Sequence, residues 1–346
     1  MSVEDDRQKA RDKLKRICGV YRNCDGDPSR ICQGQSYGRP LGIGGIGTGA
    51  SFANNAKALN KIRLQMQVIG GDFIPQIATE FFGTPISMPV MSASVSGVNS
   101  FGGDQVITEK DFCRAVVLGC KNAGTIGWRG HTYTYSIENA PGIDSIREAG
   151  GWGVKIVKPI EQSKIVEFIK RCEEVGAIAV GIDVDGCGSY MMAKHNKPVF
   201  RKTQEEIKEL VNSSKIPFIV KGIMCVEDAI ASKDAGVAAI CVSNHGGRVL
   251  DYTPGTAEVL PDIVQVINKK IPIFVDGGVR TGYDVLKMLA LGADGVLMGR
   301  DVIRAAIGGG IDGVQRLMEY VSGTLIKAMK MTNCSSIKDI RSDIFC

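Results

Sequence analysis

The string Ile240-Cys241-Val242-Ser243-Asn244-His245-Gly246-Gly247-Arg248 ends an apolar, β-branched run with an imidazole and a guanidinium three residues apart. An imidazole titrates near neutral pH and can take a proton from a reacting hydroxyl, while a guanidinium grips a carboxylate through paired N–H donors. Other apolar runs end in groups of the same kind: Asp183 and Asp185, Lys221, Asp276 with Arg280, and Gly299 with Arg300. Placed at the ends of parallel strands, these side chains converge on one electropositive mouth carrying one imidazole and at least one carboxylate, which is an active-site inventory. The segments Asp276-Gly277-Gly278-Val279-Arg280 and Met298-Gly299-Arg300 add glycines that let backbone N–H groups approach an anion. With their arginines and a helix N-terminus they form a phosphate cradle. A flavin mononucleotide, a nucleotide monophosphate and a sugar phosphate all suit it.

The elements that must position these groups are eight short β-branched runs, at 86–93, 124–128, 154–157, 177–184, 217–221, 239–243, 272–276 and 295–299. Amphipathic stretches at 109–123, 163–175, 204–213, 226–235, 257–267 and 283–291 lie between them. Such alternation gives parallel strands joined by helical crossovers, and eight units predict an α/β fold, a (β/α)8 TIM barrel with its chemistry at the C-terminal strand ends. Ala123-Gly124, Ala235-Gly236 and Leu291-Gly292 supply glycine caps where helices feed the next strand. Residues 76–346 form the expected barrel. Residues 1–75, rich in Cys and Gly, form an N-terminal extension packed on it, with a helix near 54–62.

Composition narrows the function classes. Of 346 residues, 44% are hydrophobic and 23% charged, and the 43 glycines show no period, so the chain is an ordinary globular one with a sizeable core. A net charge of +5, spread without a Lys/Arg block, predicts neither nucleic-acid nor membrane binding; a phosphate or carboxylate ligand accounts for it. The charged start MSVEDDRQKARDKLKR has no apolar signal core, and no segment reaches the length of a membrane span. With eleven cysteines, this predicts free thiols in a reducing, cytoplasmic setting. Cys18, Cys24 and Cys32 are separated by five and seven residues, which matches no standard pair of close ligands, so no metal is expected.

Around the 240–248 string, residues 216–340 resemble the FMN-dependent α-hydroxy acid oxidase and dehydrogenase family, which contains glycolate oxidase, lactate oxidase and mandelate dehydrogenases. Phe82-Gly83-Thr84-Pro85-Ile86-Ser87-Met88-Pro89-Val90 resembles the family's first strand, and Asn60-Lys61-Ile62-Arg63-Leu64 the phrase before it. The resemblance implies an FMN cofactor and oxidation of a small 2-hydroxy acid, or reduction of the 2-oxo acid, by hydride transfer at flavin N5. His245 would be the general base, Arg248 the grip on the substrate carboxylate, and Asp183 the stabiliser of the imidazolium. Lys221 would stand beside the N1 and O2 edge of the flavin and favour the anionic reduced ring. Ser243, Gly247, Asp276, Gly277, Gly278, Arg280, Gly299 and Arg300 would hold the ribityl chain and phosphate. The backbone of Ser92, Ala93 and Ser94 would face the isoalloxazine. A homo-oligomer, commonly a tetramer, is implied as well.

Two departures mark a divergent member. Related oxidases carry a run of the type Asp-Thr-Pro-Arg after strand four, whereas Asp183-Val184-Asp185-Gly186-Cys187-Gly188 here has no arginine. The family's tyrosine after strand three is missing from Gly153-Val154-Lys155-Ile156-Val157-Lys158-Pro159, which offers lysines, and Lys158 becomes a candidate flavin or substrate contact. His131 and Tyr133, after strand two, either replace the missing substrate groups or pack on the rim. His131 and His195 both sit in loops, where solvent exposure is the expectation. The weakened clamp keeps open an FMN enzyme doing non-redox work, of the type 2 isopentenyl diphosphate isomerase kind. A flavin-free phosphate-binding barrel also remains, although it leaves Lys221 and His245 unexplained.

Overall fold

The structure, a computed structural model, describes residues 1–13, 44–101 and 103–346. Cys18, Cys24 and Cys32 lie outside the described residues. Eight parallel strands form the barrel: β1 (Val90–Ser92), β2 (Trp128–Arg129), β3 (Val154–Val157), β4 (Ala179–Asp183), β5 (Phe218–Ile223), β6 (Ala239–Val242), β7 (Ile273–Val275) and β8 (Gly295–Met298). Strands β2 to β8 pair in chain order and β8 pairs with β1. The ring closes where the Ser92 N–H donates to the Ile126 carbonyl (3.2 Å) and the Trp128 N–H donates to Ser92 Oγ (2.9 Å). Each expected run carries a barrel strand, the second only at its end, where Trp128 begins β2. The first is shorter than its apolar run, because Ile86 belongs to an antiparallel hairpin of Thr79–Phe81 and Thr84–Ile86.

The strand period of two sorts side chains between the barrel interior and the helix layer. Met91, Trp128, Ile156, Ile219, Phe274 and Leu297 fill the interior. Phe81 of the hairpin plugs the end where the strands begin, its ring 5.2 Å from Phe274, which in turn meets Trp128 at 5.6 Å. An interior filled in this way is a packed core, so a site can form only where the strands end.

The helices are α1 (Val3–Lys13), α2 (Ala50–Lys61), α3 (Glu109–Asn122), α4 (Pro141–Glu148), α5 (Gln162–Glu174), α6 (Tyr190–Lys194), α7 (Gln204–Asn212), α8 (Val226–Asp234), α9 (Thr256–Ile267), α10 (Gly282–Ala290) and α11 (Arg300–Met331). Thr108 caps α3 by accepting the Asp111 N–H, and Thr203 with Glu206 forms a capping box on α7. At the other ends, Gly124, Gly236 and Gly292 take the left-handed conformation that the Ala-Gly and Leu-Gly steps suggested. Helix α11 bends at Gly310 (φ 61°, ψ −141°), and α1 lies along it with the buried Asp6 paired to Arg316. Helix α2 crosses the barrel mouth. Before it the Ile46 N–H donates to the Gly247 carbonyl (2.7 Å), and within it Asn55 Nδ2 donates to Asn244 Oδ1 (2.9 Å).

Candidate active site

The chain leaves β6 through three successive left-handed residues, His245 (φ 55°), Gly246 (φ 62°) and Gly247 (φ 75°). A non-glycine residue held there stores about 1–3 kcal/mol of strain, which surrounding contacts must offset. The His245 N–H donates to Ser243 Oγ (3.1 Å), and the turn carries the imidazole to the cavity at the strand ends. Its Nδ1 lies 3.1 and 3.2 Å from the two carboxylate oxygens of Asp185 and 3.7 Å from Asp183 Oδ2. The closer, two-oxygen contact belongs to Asp185, while Asp183, the carboxylate expected to stabilise the imidazolium, faces the same nitrogen from farther off. The physical reason is Lys158, whose ammonium takes Asp183 in a tight buried ion pair. A 3-10 turn at Val184–Gly188 brings Asp185 alongside. Burial works against the Asp185 charge, but His245, Lys221 and Lys158 outweigh it and hold the carboxyl below its ordinary value. An ionised carboxylate at Nδ1 accepts a hydrogen bond from Nδ1–H, which fixes the tautomer and leaves Nε2 as the acceptor. Lys158 Nζ stands 3.5 Å from that Nε2. Ligand atoms of Asp183, Asp185 and His245 lie within 4.8 Å of one another, and the Lys158 ammonium supplies positive charge to this group.

Lys221, fully enclosed on β5, donates to Ser243 Oγ (2.5 Å) and pairs with Asp276 Oδ2 (2.8 Å). Burial opposes its charge, yet Asp276 and the other negative groups nearby prevail and raise its pKa, so this cation is permanent. Arg248 is anchored by the carbonyls of Gly44 and Ser100, each 3.2 Å away. Arg300 is held by the Gly246 carbonyl (2.6 Å) and lies over the Phe52 ring at 4.2 Å.

After β7 the chain turns through Gly277 (φ 109°) and Gly278 (φ 79°), and a Cβ on Gly278 would stand 2.9 Å from the Asn55 carbonyl carbon. Only glycine permits that approach to α2. The same loop, with Arg280, Arg300 and the first turn of α11, lines the cavity, and a helix N-terminus favours an anion there. These donors fit FMN: glycine backbone, two arginines and a helix end for its phosphate, and Lys221 for its ring. Asp276 Oδ1 is buried without a hydrogen-bond partner among the described residues, an acceptor suited to a ribityl hydroxyl.

Of the residues singled out from sequence, Ala93, Ser94, Lys158, Lys221, Asp276, Gly277, Gly278, Arg280, Gly299 and Arg300 line this cavity with His131, His245 and Arg248. Four others support it from behind. Ser92 closes the barrel ring, Ser243 lies under Lys221, Gly247 packs on the backbone of Phe52, and Asp183 holds Lys158. Tyr133 stacks on His195 with ring centroids 3.6 Å apart. His131 is buried and not solvated, packed edge-on against Phe168 at 4.9 Å. Burial, then the charges of Lys155 and Lys158, hold its pKa well below the ordinary imidazole value, so it is neutral. Reading from the sequence missed Phe52 and Asn55, which reach the cavity from α2, and Met191 and Met192 from α6. Their signal was faint: Phe52 and Asn55 share one helix face, but nothing local aims that face at a distant loop.

Residues 42–192 and 187–346 match the model of the family described as FMN-dependent dehydrogenase. A 2-hydroxyacid oxidase of Dictyostelium discoideum is 30% identical over 331 residues, covering 85% of this chain and 82% of that relative. The 2-hydroxyacid oxidase 1 of Mus musculus is also 30% identical, with 84% and 86% covered. A peroxisomal (S)-2-hydroxyacid oxidase of Arabidopsis thaliana reaches 45% identity over a shorter stretch, 39% of this chain and 38% of the relative. Among solved structures, a mandelate oxidase variant with 2-hydroxy-phenylacetamide superimposes with a TM-score of 0.78 at 26% identity, covering 98% of this chain and 96% of the other. Another mandelate oxidase variant, carrying a monooxide FMN adduct, gives 0.73 at 29% identity, covering 86% and 92%. Matching over nearly its whole described length, the chain belongs to the FMN-dependent dehydrogenase family.

Proposed function

We propose that the protein oxidises a small 2-hydroxy acid to the 2-oxo acid with FMN as its cofactor. The observation that carries this reading is the Asp185–His245 pair opening into the same cavity as Arg248 and the glycine-arginine phosphate cradle. Arg248 binds the substrate carboxylate. His245 Nε2 accepts the proton of the 2-hydroxyl, and Asp185 stabilises the imidazolium that results. FMN, when bound, supplies the acceptor for the hydride that leaves the α-carbon as the carbonyl forms. Lys221 keeps a fixed positive charge in the cavity wall, Gly277, Gly278, Arg280 and Arg300 hold the phosphate, and the neutral His131 closes one side against water. Membership of an FMN-dependent family removes the flavin-free alternative. The non-redox alternative gives the Asp185–His245 base and Arg248 no matched task.

The test is product identification. The flavin-loaded protein, an artificial electron acceptor and a panel of 2-hydroxy acids should yield a 2-oxo acid that is trapped as its hydrazone; no hydrazone from any acid would overturn the proposal. Among the described residues, no helix is long and apolar enough to cross a membrane. Eight described cysteines are free, with Cys187, Cys225 and Cys346 exposed, which favours a reducing compartment such as the cytoplasm. The family resemblance supports a homo-oligomer, which light scattering in solution would measure.

A further inference from the structure

The base His245 is 26% exposed, yet its Nε2 is not left to solvent alone: Lys158 Nζ faces it at 3.5 Å. Resting on the proposed oxidation of a 2-hydroxy acid, we infer that Lys158 couples the negative charge of the substrate to the availability of the base. It caps Nε2 in the free enzyme and turns to the substrate carboxylate on binding.

Several features place Lys158 for this. It follows β3, its side chain is 8% exposed, and it lines the cavity shared with His245 and Arg248. Its chain passes over Gly186, where a Cβ would stand 2.8 Å from Lys158 Cδ, so the loop after β4 is shaped to admit it. Asp183, itself buried and with its Oδ1 lacking a hydrogen-bond partner, keeps the ammonium from leaving. An ammonium carries three N–H donors, so Lys158 can stay on Asp183 while a second donor swings from Nε2 to a ligand. Asp185 meanwhile accepts from Nδ1–H, so Nε2 has a lone pair and that lone pair is what Lys158 covers. A carboxylate on the carbon bearing the hydroxyl brings a full negative charge beside the ammonium and draws it away, uncovering Nε2 as the hydroxyl arrives. A neutral ester or amide competes poorly for the same donor. The step moves no covalent bond in Lys158. The hydroxyl proton still goes to Nε2 and the hydride still leaves the α-carbon. A lysine serves as a mobile point charge here, which a planar, forked guanidinium would do less well.

The experiment compares a 2-hydroxy acid with its methyl ester in the flavin-loaded wild type and in Lys158→Met. The acid should lose about ten- to a hundredfold in kcat/KM through KM, as expected for one lost charge-assisted contact. The ester should keep or gain kcat, because its base is no longer capped. A role confined to structure would lower both substrates together. The acid-to-ester ratio should therefore fall at least tenfold; a smaller fall, or a parallel loss on both, overturns the inference. If Lys158→Met does not fold, Lys158→Met combined with Asp183→Asn removes both buried charges and is judged by the same ratio. Oxalate, an unreactive dianion, gives a second arm without turnover: its perturbation of the flavin band should need about tenfold more ligand in the variant, and equal affinity overturns the inference. If the wild type oxidises neither substrate, the proposed function fails, and the oxalate arm still decides on Lys158.

Discussion

Asp185→Asn isolates the electrostatic part of the proposed chemistry. The carboxylate faces His245 Nδ1 at 3.1 and 3.2 Å, and an asparagine turned to present its carbonyl oxygen keeps the Nδ1–H acceptor, hence the tautomer. What the substitution removes is charge. Two unit charges 3.1 Å apart at an effective dielectric of about 20 attract by about 5 kcal/mol. Solvent discounts that figure, since the two side chains are 26% and 11% exposed, and Asp183 still faces the ring at 3.7 Å. About half should be lost, roughly 2–3 kcal/mol, and only once the imidazole is protonated. The loss falls on the chemical step: flavin reduction at saturating acid should slow about thirty- to a hundred-and-sixtyfold with little change in apparent Kd. Anaerobic stopped-flow measurement of the flavin band reads both quantities. A reduction rate within threefold of wild type, or an effect confined to binding, would refute the assignment of Asp185 as the partner of the base.

Gly278→Ala forces a side chain onto a backbone at φ 79° and 2.9 Å from the Asn55 carbonyl carbon. Strain of about 1–3 kcal/mol should weaken FMN binding by about five- to a hundred-and-sixtyfold, read by fluorescence titration of the apoprotein. Arg248→Met should raise the KM for the acid about ten- to a hundredfold in steady-state assays, since a charge-assisted bond contributes about 1.5–3 kcal/mol. Lys155 is fully enclosed, donates to the Gly130 carbonyl and lies 4.7 Å from the centre of the Tyr135 ring, and burial lowers its pKa from 10.5 to about 8. A cation with a depressed folded pKa penalises folding fully below pH 8 and ceases to do so as pH rises towards 10.5, because between these values the unfolded chain holds the extra proton. Lys155→Met should therefore stabilise the fold by about 1–3 kcal/mol at pH 7, with the advantage shrinking above pH 8 in urea unfolding.

The barrel was legible because its signals are local. Each strand is a short apolar run, each polar tip follows its own run, and Ala-Gly or Leu-Gly steps mark where helices stop. The same locality explains the cavity residues of strands five to eight, since Lys221, His245, Asp276 and Gly299 each follow or end their own apolar run at the mouth. Partner choice was not legible. Asp183 and Asp185 are two residues apart and chemically alike; Lys158 on another strand and the turn at Val184–Gly188 decide which carboxylate meets His245. His131 read as a loop histidine because the helix residue that buries it, Phe168, lies 37 positions on. Helix α11 escaped notice for an opposite reason: Gly308, Gly309 and Gly310 look like a breaker, yet the chain resumes its helix after a single non-helical residue. Ser92 and Ser243 lie behind the cavity and not in its wall, their hydroxyls consumed by the Trp128 N–H and by Lys221, a distinction only three-dimensional contacts make.

The most direct test is the anaerobic visible spectrum of the flavin-loaded protein with each of a panel of 2-hydroxy acids, repeated on His245→Ala. At least one acid should bleach the flavin band in the wild type, and the variant, with flavin still bound, should lose this reaction by several orders of magnitude. A flavin that no acid bleaches, or one that bleaches equally fast without His245, would contradict the proposed function.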